Sequence, residues 1–157
     1  MKNKKVLITG HSGFKGAWLS MILNAMGAEV LGISKESLNN NSELYSALGI
    51  NKLYESHDED IRNLSGIKKI LNDFRPEFVF HLAAQSLVNV SFEQPISTLY
   101  TNMLGSANLL ESLRLQKKPC TLVVITSDKC YDNVEKVWGY RENDRLGGKD
   151  PYSASKV

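Results

Sequence analysis

The sequence has no apolar run long enough to span a bilayer, only two cysteines in 157 residues, and almost no imbalance of charge. Each shortage removes a class of function. A membrane helix needs about 20 consecutive apolar residues, and no stretch here approaches that. The basic start Met1-Lys-Asn-Lys-Lys5 is followed only by Val6 to Ile8 before Thr9-Gly10, too short for the apolar core of a secretory signal. Cys120 and Cys130 have no metal-ligand spacing, and nothing marks an oxidising compartment, so a reducing cytoplasm is the expected location. His57 and His81 have no cysteine or carboxylate partners in a ligand pattern, so no metal is expected. A net charge of +2 gives no reason to expect nucleic acid or an acidic membrane as a partner. Internal repeats and low-complexity linkers are missing too.

What the chain does have is alternation between short apolar runs and helical periodicity. Val6 to Thr9 reads as a buried strand, Phe14 to Met26 as a helix with Trp18, Ile22 and Met26 on one face, and Glu29 to Ile33 as the next strand. A polar stretch containing Asn39-Asn-Asn41 precedes a third strand expected near Lys52 to Ser56. Leu64 to Phe74 reads as a helix ended by Pro76. Phe78 to His81 and Leu122 to Thr126 are two more strands, separated by a long helix from Ile96 to Leu115. The pattern implies an α/β fold, a Rossmann-like doubly wound parallel sheet with ligands at the carboxyl ends of its strands. At 157 residues there is room for one such domain and not for a substrate-binding domain besides. The chain is therefore expected to be an amino-terminal piece of a longer protein, truncated before that second domain.

The first turn, Thr9-Gly10-His-Ser-Gly13-Phe-Lys-Gly16, lies directly between a strand and a helix. Gly10 and Gly13 let the backbone turn tightly and approach a pyrophosphate, Gly16 lets the helix pack closely, and the helix start offers unpaired amides to an anion. A glycine-rich turn with no ligand is the plain alternative, and the flanking strand and helix favour a dinucleotide. For Lys15 a charge beside the phosphates and a solvated surface lysine stand as equal readings. His11 is expected to be a loop residue beside the cofactor.

The end of the second strand holds Gly32-Ile33-Ser34-Lys35, without the carboxylate that usually grips the adenosine ribose, so NAD and NADP both remain open. Asp60, in Asp58-Glu-Asp60-Ile61-Arg62, fits either an acceptor for the adenine amino group or an acidic helix start favoured by the dipole.

Two runs near the end carry the chemistry: Thr126-Ser127-Asp128-Lys129 at the tip of a strand, and Tyr152-Ser-Ala-Ser-Lys156. Tyr152 and Lys156 are four apart on an expected helix opening at Pro151, so they share a face, and the cation stabilises a phenolate able to act as base. Asp128-Lys129 adds a second acid/base pair, which a simple alcohol dehydrogenase does not need. Two proton-transfer sets suggest oxidation coupled to elimination. Alone, each run is more often a solvated loop or a chance spacing; together in one α/β sheet they point to a site.

The motifs TGHSGFKG, DIR at 60 to 62, HLAAQ at 81 to 85, TN at 101 to 102, TSDKCYDN at 126 to 133, WGYREND at 138 to 144 and YSASK at 152 to 156 occur in this order. With them the chain resembles the extended short-chain dehydrogenase/reductases, and among them the branch of CDP-glucose 4,6-dehydratases, from Val6 to Lys156. The resemblance implies NAD held by Gly10, Gly13, Phe14, Lys15 and Gly16, with Asp60 and Ile61 around adenine. Leu82, Ala83, Gln85, Thr101 and Thr126 would line the cofactor. It implies Ser127 as hydrogen-bond donor to the sugar's 4-oxygen, Tyr152 as base, and Lys156 as holder of the nicotinamide ribose. Asp128 would protonate the leaving 6-hydroxyl. Lys129, where dTDP-glucose enzymes carry glutamate, would take the C5 proton, its pKa lowered by the Lys156 cation and partial desolvation.

The implied substrate is a nucleotide-activated glucose and the implied assembly a homodimer or homotetramer. Pairing would use the long helix and the Tyr152 helix. An NAD-dependent nucleotide-sugar epimerase shares the glycines and the Tyr-Lys pair but needs no Asp128-Lys129. A dinucleotide-binding sensor without chemistry is the third reading.

Overall fold

In a computed structural model, residues 1–35, 47, 49 and 52–157 are described. The polar stretch at Asn39-Asn-Asn41 lies outside them. The chain gathers into two compact units, residues 1–83 with 105–125, and residues 84–104 with 126–157.

The first unit is a five-stranded parallel sheet in the order β3-β2-β1-β4-β5. Its strands are β1 (Lys5–Thr9), β2 (Glu29–Ser34), β3 (Glu55–Asp58), β4 (Phe78–His81) and β5 (Thr121–Val124). Alternation along β1 explains its two-sided core. Leu7 faces Leu31, Ile33, Ile67, Leu71, Val79 and Leu109, while Val6 and Ile8 face Leu23, Ala28 and Val30. Helix α1 (Phe14–Ala25) follows β1, and α2 (Leu64–Phe74) follows β3.

α2 has the bounds its sequence predicts. Asn63 caps it by accepting from the Gly66 amide, Ile67, Ile70 and Leu71 form its buried stripe, and Arg75 leaves it at φ 54 just before Pro76. α1 has nearly the predicted bounds, but its inward face is Gly16, Ala17, Ser20 and Leu23, whereas Trp18, Ile22 and Met26 are exposed. Close approach to the sheet requires small side chains, which overrides apolar spacing. β3 starts three residues and ends two residues later than expected because its pairing with β2, from Leu31 opposite Glu55 to Ser34 opposite Asp58, sets the strand, and its own residues carry little apolar signal. β5 ends at Val124, two residues early.

The predicted long helix is three segments: α4 (Pro95–Leu99), a π-helical turn (Tyr100–Leu104) and α5 (Gly105–Arg114). An unpredicted short helix, α3 (Val88–Glu93), precedes them. The second unit holds α3, α4 and the π turn, then a 3-10 turn (Asp128–Cys130) and α6 (Pro151–Lys156). α6 packs against α3, α4, the π turn and the 3-10 turn.

A parallel sheet wound in both directions from β1, with helices between strands, is a Rossmann-like architecture. Strand order reverses between β1 and β4, and the glycine turn leaves β1 at that switch point. Among the described residues no helix is long and apolar enough to cross a membrane, and no cluster of three or more His, Cys, Asp or Glu could hold a metal ion.

Candidate functional site

In the first unit the glycine turn is fixed by backbone contacts. Gly10 takes φ +73, its amide donates to the Ile33 carbonyl at 2.7 Å, and a Cβ there would lie 2.7 Å from the Ala83 nitrogen. A Cβ on Gly16 would fall 2.1 Å from the Gly10 carbonyl oxygen. These two positions therefore exclude every side chain, and at Gly16 it is the Gly10–His11 backbone of the turn that lies against α1. The Ala83 amide in turn donates to Thr9 Oγ1 at 3.2 Å, and Thr9 Oγ1 lies 2.6 Å from His81 Nδ1. Leu82 and Ala83, predicted to line the cofactor, thus adjoin the turn.

α1 begins at exposed Gly13 with no side chain capping it and no acidic residue in its first turn. Phe14 and Lys15 there are exposed. Open amides at the positive end of a 12-residue helix suit a pyrophosphate, so the residues present fit a dinucleotide.

His11 is fully buried in this turn, its Nδ1 3.0 Å from Ser34 Oγ, which also accepts from the Ser12 amide at 3.3 Å. Burial pushes its pKa down, against a backbone hydrogen bond with Ile33 that raises it.

Asp60 is not part of a helix start, since α2 begins after Asn63. Its carboxylate accepts from Arg62 Nη2 at 2.6 Å and from Arg62 Nε at 3.0 and 3.1 Å, and Lys35 Nζ lies 3.4 Å away. The Arg62 hydrogen bonds hold its pKa down at about 2, against desolvation that raises it. Ile61 beside it is buried in the core.

The second unit packs together the two elements that carry the expected acid/base residues. Ser127 opens the 3-10 turn: its Oγ accepts from the Lys129 amide at 3.2 Å and lies 3.2 Å from Asp128 Oδ1. That turn packs against α6, which carries Tyr152, 9% exposed, and Lys156 one turn later. Burial lowers the Lys156 pKa. Lys129 and Asp128 are exposed, so the partial desolvation expected at Lys129 is not supplied by the described residues. Thr126 is exposed and Thr101 half-buried in the π turn.

Asn102, Gln85 and Asp150 organise this unit, and of these only Gln85 was given a site role by the sequence. Asn102 is buried, donates to the Gln85 carbonyl at 3.0 Å and to Ser155 Oγ at 2.7 Å, and accepts from the Gln85 amide at 2.8 Å. Gln85, expected to line the cofactor, has its amide nitrogen donating to Thr98 Oγ1 at 2.9 Å and to the Leu87 carbonyl at 3.1 Å. Asp150 caps α6 by accepting from the Ser153 amide and hydroxyl. Desolvation raises the Asp150 pKa, but the Ser153 hydrogen bonds and the Lys129 charge leave it lowered. Asp150-Pro151, a cap followed by proline at the first helical position, was a readable signal. The Asn102–Ser155 bond joins residues 53 apart and had none.

A family model described as GDP-mannose 4,6 dehydratase matches residues 7–157. The chain belongs to the GDP-mannose 4,6 dehydratase family. Within it, the chain is 50% identical over 155 residues to the CDP-glucose 4,6-dehydratase of Salmonella typhimurium, covering 99% of this chain and 43% of that protein. It is 31% identical to a GDP-mannose 4,6-dehydratase of Vibrio cholerae, over 98% of this chain and 43% of that one. Among solved structures, Thermus thermophilus UDP-glucose 4-epimerase in complex with NAD superposes with a TM-score of 0.78 at 31% identity, over 97% of this chain and 47% of that chain. The chain thus spans less than half the length of the relatives it matches.

Proposed function

We propose that a protein carrying this chain dehydrates CDP-glucose to the 4-keto-6-deoxy sugar, this chain supplying a nicotinamide dinucleotide site and the acid/base groups. The observation that carries the reading is the Ser127-Asp128-Lys129 turn packed against the helix of Tyr152 and Lys156. Half identity to a CDP-glucose 4,6-dehydratase supports it. Epimerisation needs no paired acid and base, so Asp128-Lys129 favours elimination over the epimerase reading.

Bound NAD would supply a reversible hydride acceptor for C4 of the sugar and a hydride donor to C6. Gly10, Gly13, Phe14, Lys15 and Gly16 would hold it, with Leu82 and Ala83 beside the turn. Tyr152 takes the proton of the C4 hydroxyl, and the Lys156 charge one turn along favours the phenolate. Ser127 donates a hydrogen bond to the 4-oxygen. Once C4 is a ketone, the C5 proton becomes removable because the carbanion is delocalised onto that oxygen. Lys129, in its neutral form, takes this proton, and Asp128, in its protonated form, gives one to the departing 6-hydroxyl, which leaves as water. The whole protein is proposed to work in the cytoplasm as a homodimer or homotetramer.

Incubating a full-length protein containing this chain with CDP-glucose, and separately with dTDP-glucose, tests the reading through 4-keto absorbance. Product from CDP-glucose is expected. Product from dTDP-glucose alone, or an epimer without any 4-keto product, would contradict it.

A further inference from the structure

The run Trp138 to Asp144 has no part in the chemistry above, yet it lies in a hairpin that leaves the Asp128–Cys130 turn and returns to α6. The Tyr131 amide donates to the Asp128 carbonyl at 3.1 Å, so the hairpin starts from the turn itself. Its arms are tied at the base by an antiparallel bridge of Tyr131 with Leu146. Beside that bridge the Gly147 amide donates to the Cys130 carbonyl and the Asp132 amide to the Arg145 carbonyl, both at 2.9 Å. Just beyond the base, a Cβ on Gly148 would fall 2.3 Å from the Ala154 nitrogen of α6.

Inside the hairpin the contacts gather on one ring. Tyr140 stacks on Tyr131 with centroids 5.2 Å apart and planes at 16°. Lys136 Nζ lies 5.1 Å from the Tyr140 centroid and is paired with Asp144, which also accepts from the Arg141 amide at 2.8 Å. The Tyr140 hydroxyl accepts from the Val134 amide and donates to Asn133 Oδ1, each at 2.9 Å. Asp128 and Lys129 are exposed, so burial does not fix their side chains, and their aim depends on where the backbone of the turn stands. α6 has its own cap at Asp150 and packs against α3, α4 and the π turn as well. Loosening the hairpin should therefore shift the Asp128-Lys129 turn and leave Tyr152 in place. We infer that Tyr140 is a positioning residue for the elimination, holding that turn through Tyr131. The inference rests on the dehydratase reading and deepens it.

The test uses a full-length protein containing this chain, with CDP-glucose in deuterated water, and follows C5 exchange beside reduced nicotinamide absorbance. Tyr140→Ala should slow C5 exchange about tenfold, as a misplaced base does. C4 oxidation should stay within about twofold, so that reduced nicotinamide builds up. Tyr140→Phe keeps the stack and the cation over the ring and should stay within about threefold of wild type in both steps. If Tyr140→Ala does not fold, Lys136→Met takes its place, removing the cation from the ring, and should slow exchange about threefold with the same split. Exchange at the wild-type rate, oxidation slowed as much as exchange, or Tyr140→Phe as slow as Tyr140→Ala would overturn the positioning role while leaving the dehydratase reading in place. A wild-type protein that neither oxidises CDP-glucose nor exchanges its C5 proton would overturn both.

Discussion

The two units hold their candidate site residues in opposite ways. In the sheet unit the glycine turn is set by backbone atoms that leave no space for a Cβ and by a core apolar on both faces. In the helical unit the proposed acid/base residues stand on short segments held by polar side chains: Asn102 to Gln85 and Ser155, Asp150 to Ser153. Close packing tolerates no added atom, whereas a polar network tolerates substitution as far as its partners remain satisfied. Changes near the turn should therefore act through folding, and changes at the exposed acid/base residues through chemistry.

The sharpest break of this contrast is Gly16→Ala. With its Cβ 2.1 Å from the Gly10 oxygen and 2.7 Å from His11 Cα, backbone must move. A loss of about 3 kcal/mol is expected from urea midpoints; a loss under about 0.5 kcal/mol would show that the turn is not tightly packed. Next is Asn102→Ala, which takes their partner from the half-buried Gln85 amide and carbonyl and a donor from the buried Ser155 hydroxyl, and should cost about 2 kcal/mol in the same assay. Asp150→Ala should cost about 1 kcal/mol and Asp150→Asn only a few tenths, because asparagine caps as well as aspartate. If both cost alike, charge rather than capping holds α6.

The smallest effect belongs to Asp60, whose pKa is depressed to about 2. A carboxyl with a lowered folded-state pKa contributes stability that is complete above its unfolded value near 4 and is lost as pH falls toward 2. Arg62→Ala should flatten the fall in urea midpoint across that window. An unchanged profile would mean the pair is only a surface contact.

The same contrast explains what the sequence reveals. β1, α2 and β4 were legible because a buried strand is a run of apolar residues, and because Asn63 and Pro76 frame an apolar stripe. The inward face of α1 was not, since proximity to the sheet selects Gly16, Ala17 and Ser20 over Trp18 and Ile22. The π turn at Tyr100–Leu104 escaped because one altered turn hardly disturbs helical periodicity. The placing of Tyr152 and Lys156 on one short helix, and of Ser127 beside Lys129 at one turn, was legible because local spacing fixes each set. The Asn102–Ser155 bond and the Arg62–Lys35 clamp on Asp60 depend on tertiary placement, which no local pattern encodes.

The central claim is that an exposed lysine beside an aspartate performs the elimination. The most direct measurement is C5 exchange with solvent deuterium, made with Lys129→Met in a full-length protein containing this chain and with CDP-glucose as substrate. The account predicts that exchange disappears while C4 oxidation is still seen as reduced nicotinamide absorbance. Exchange at the wild-type rate would contradict it.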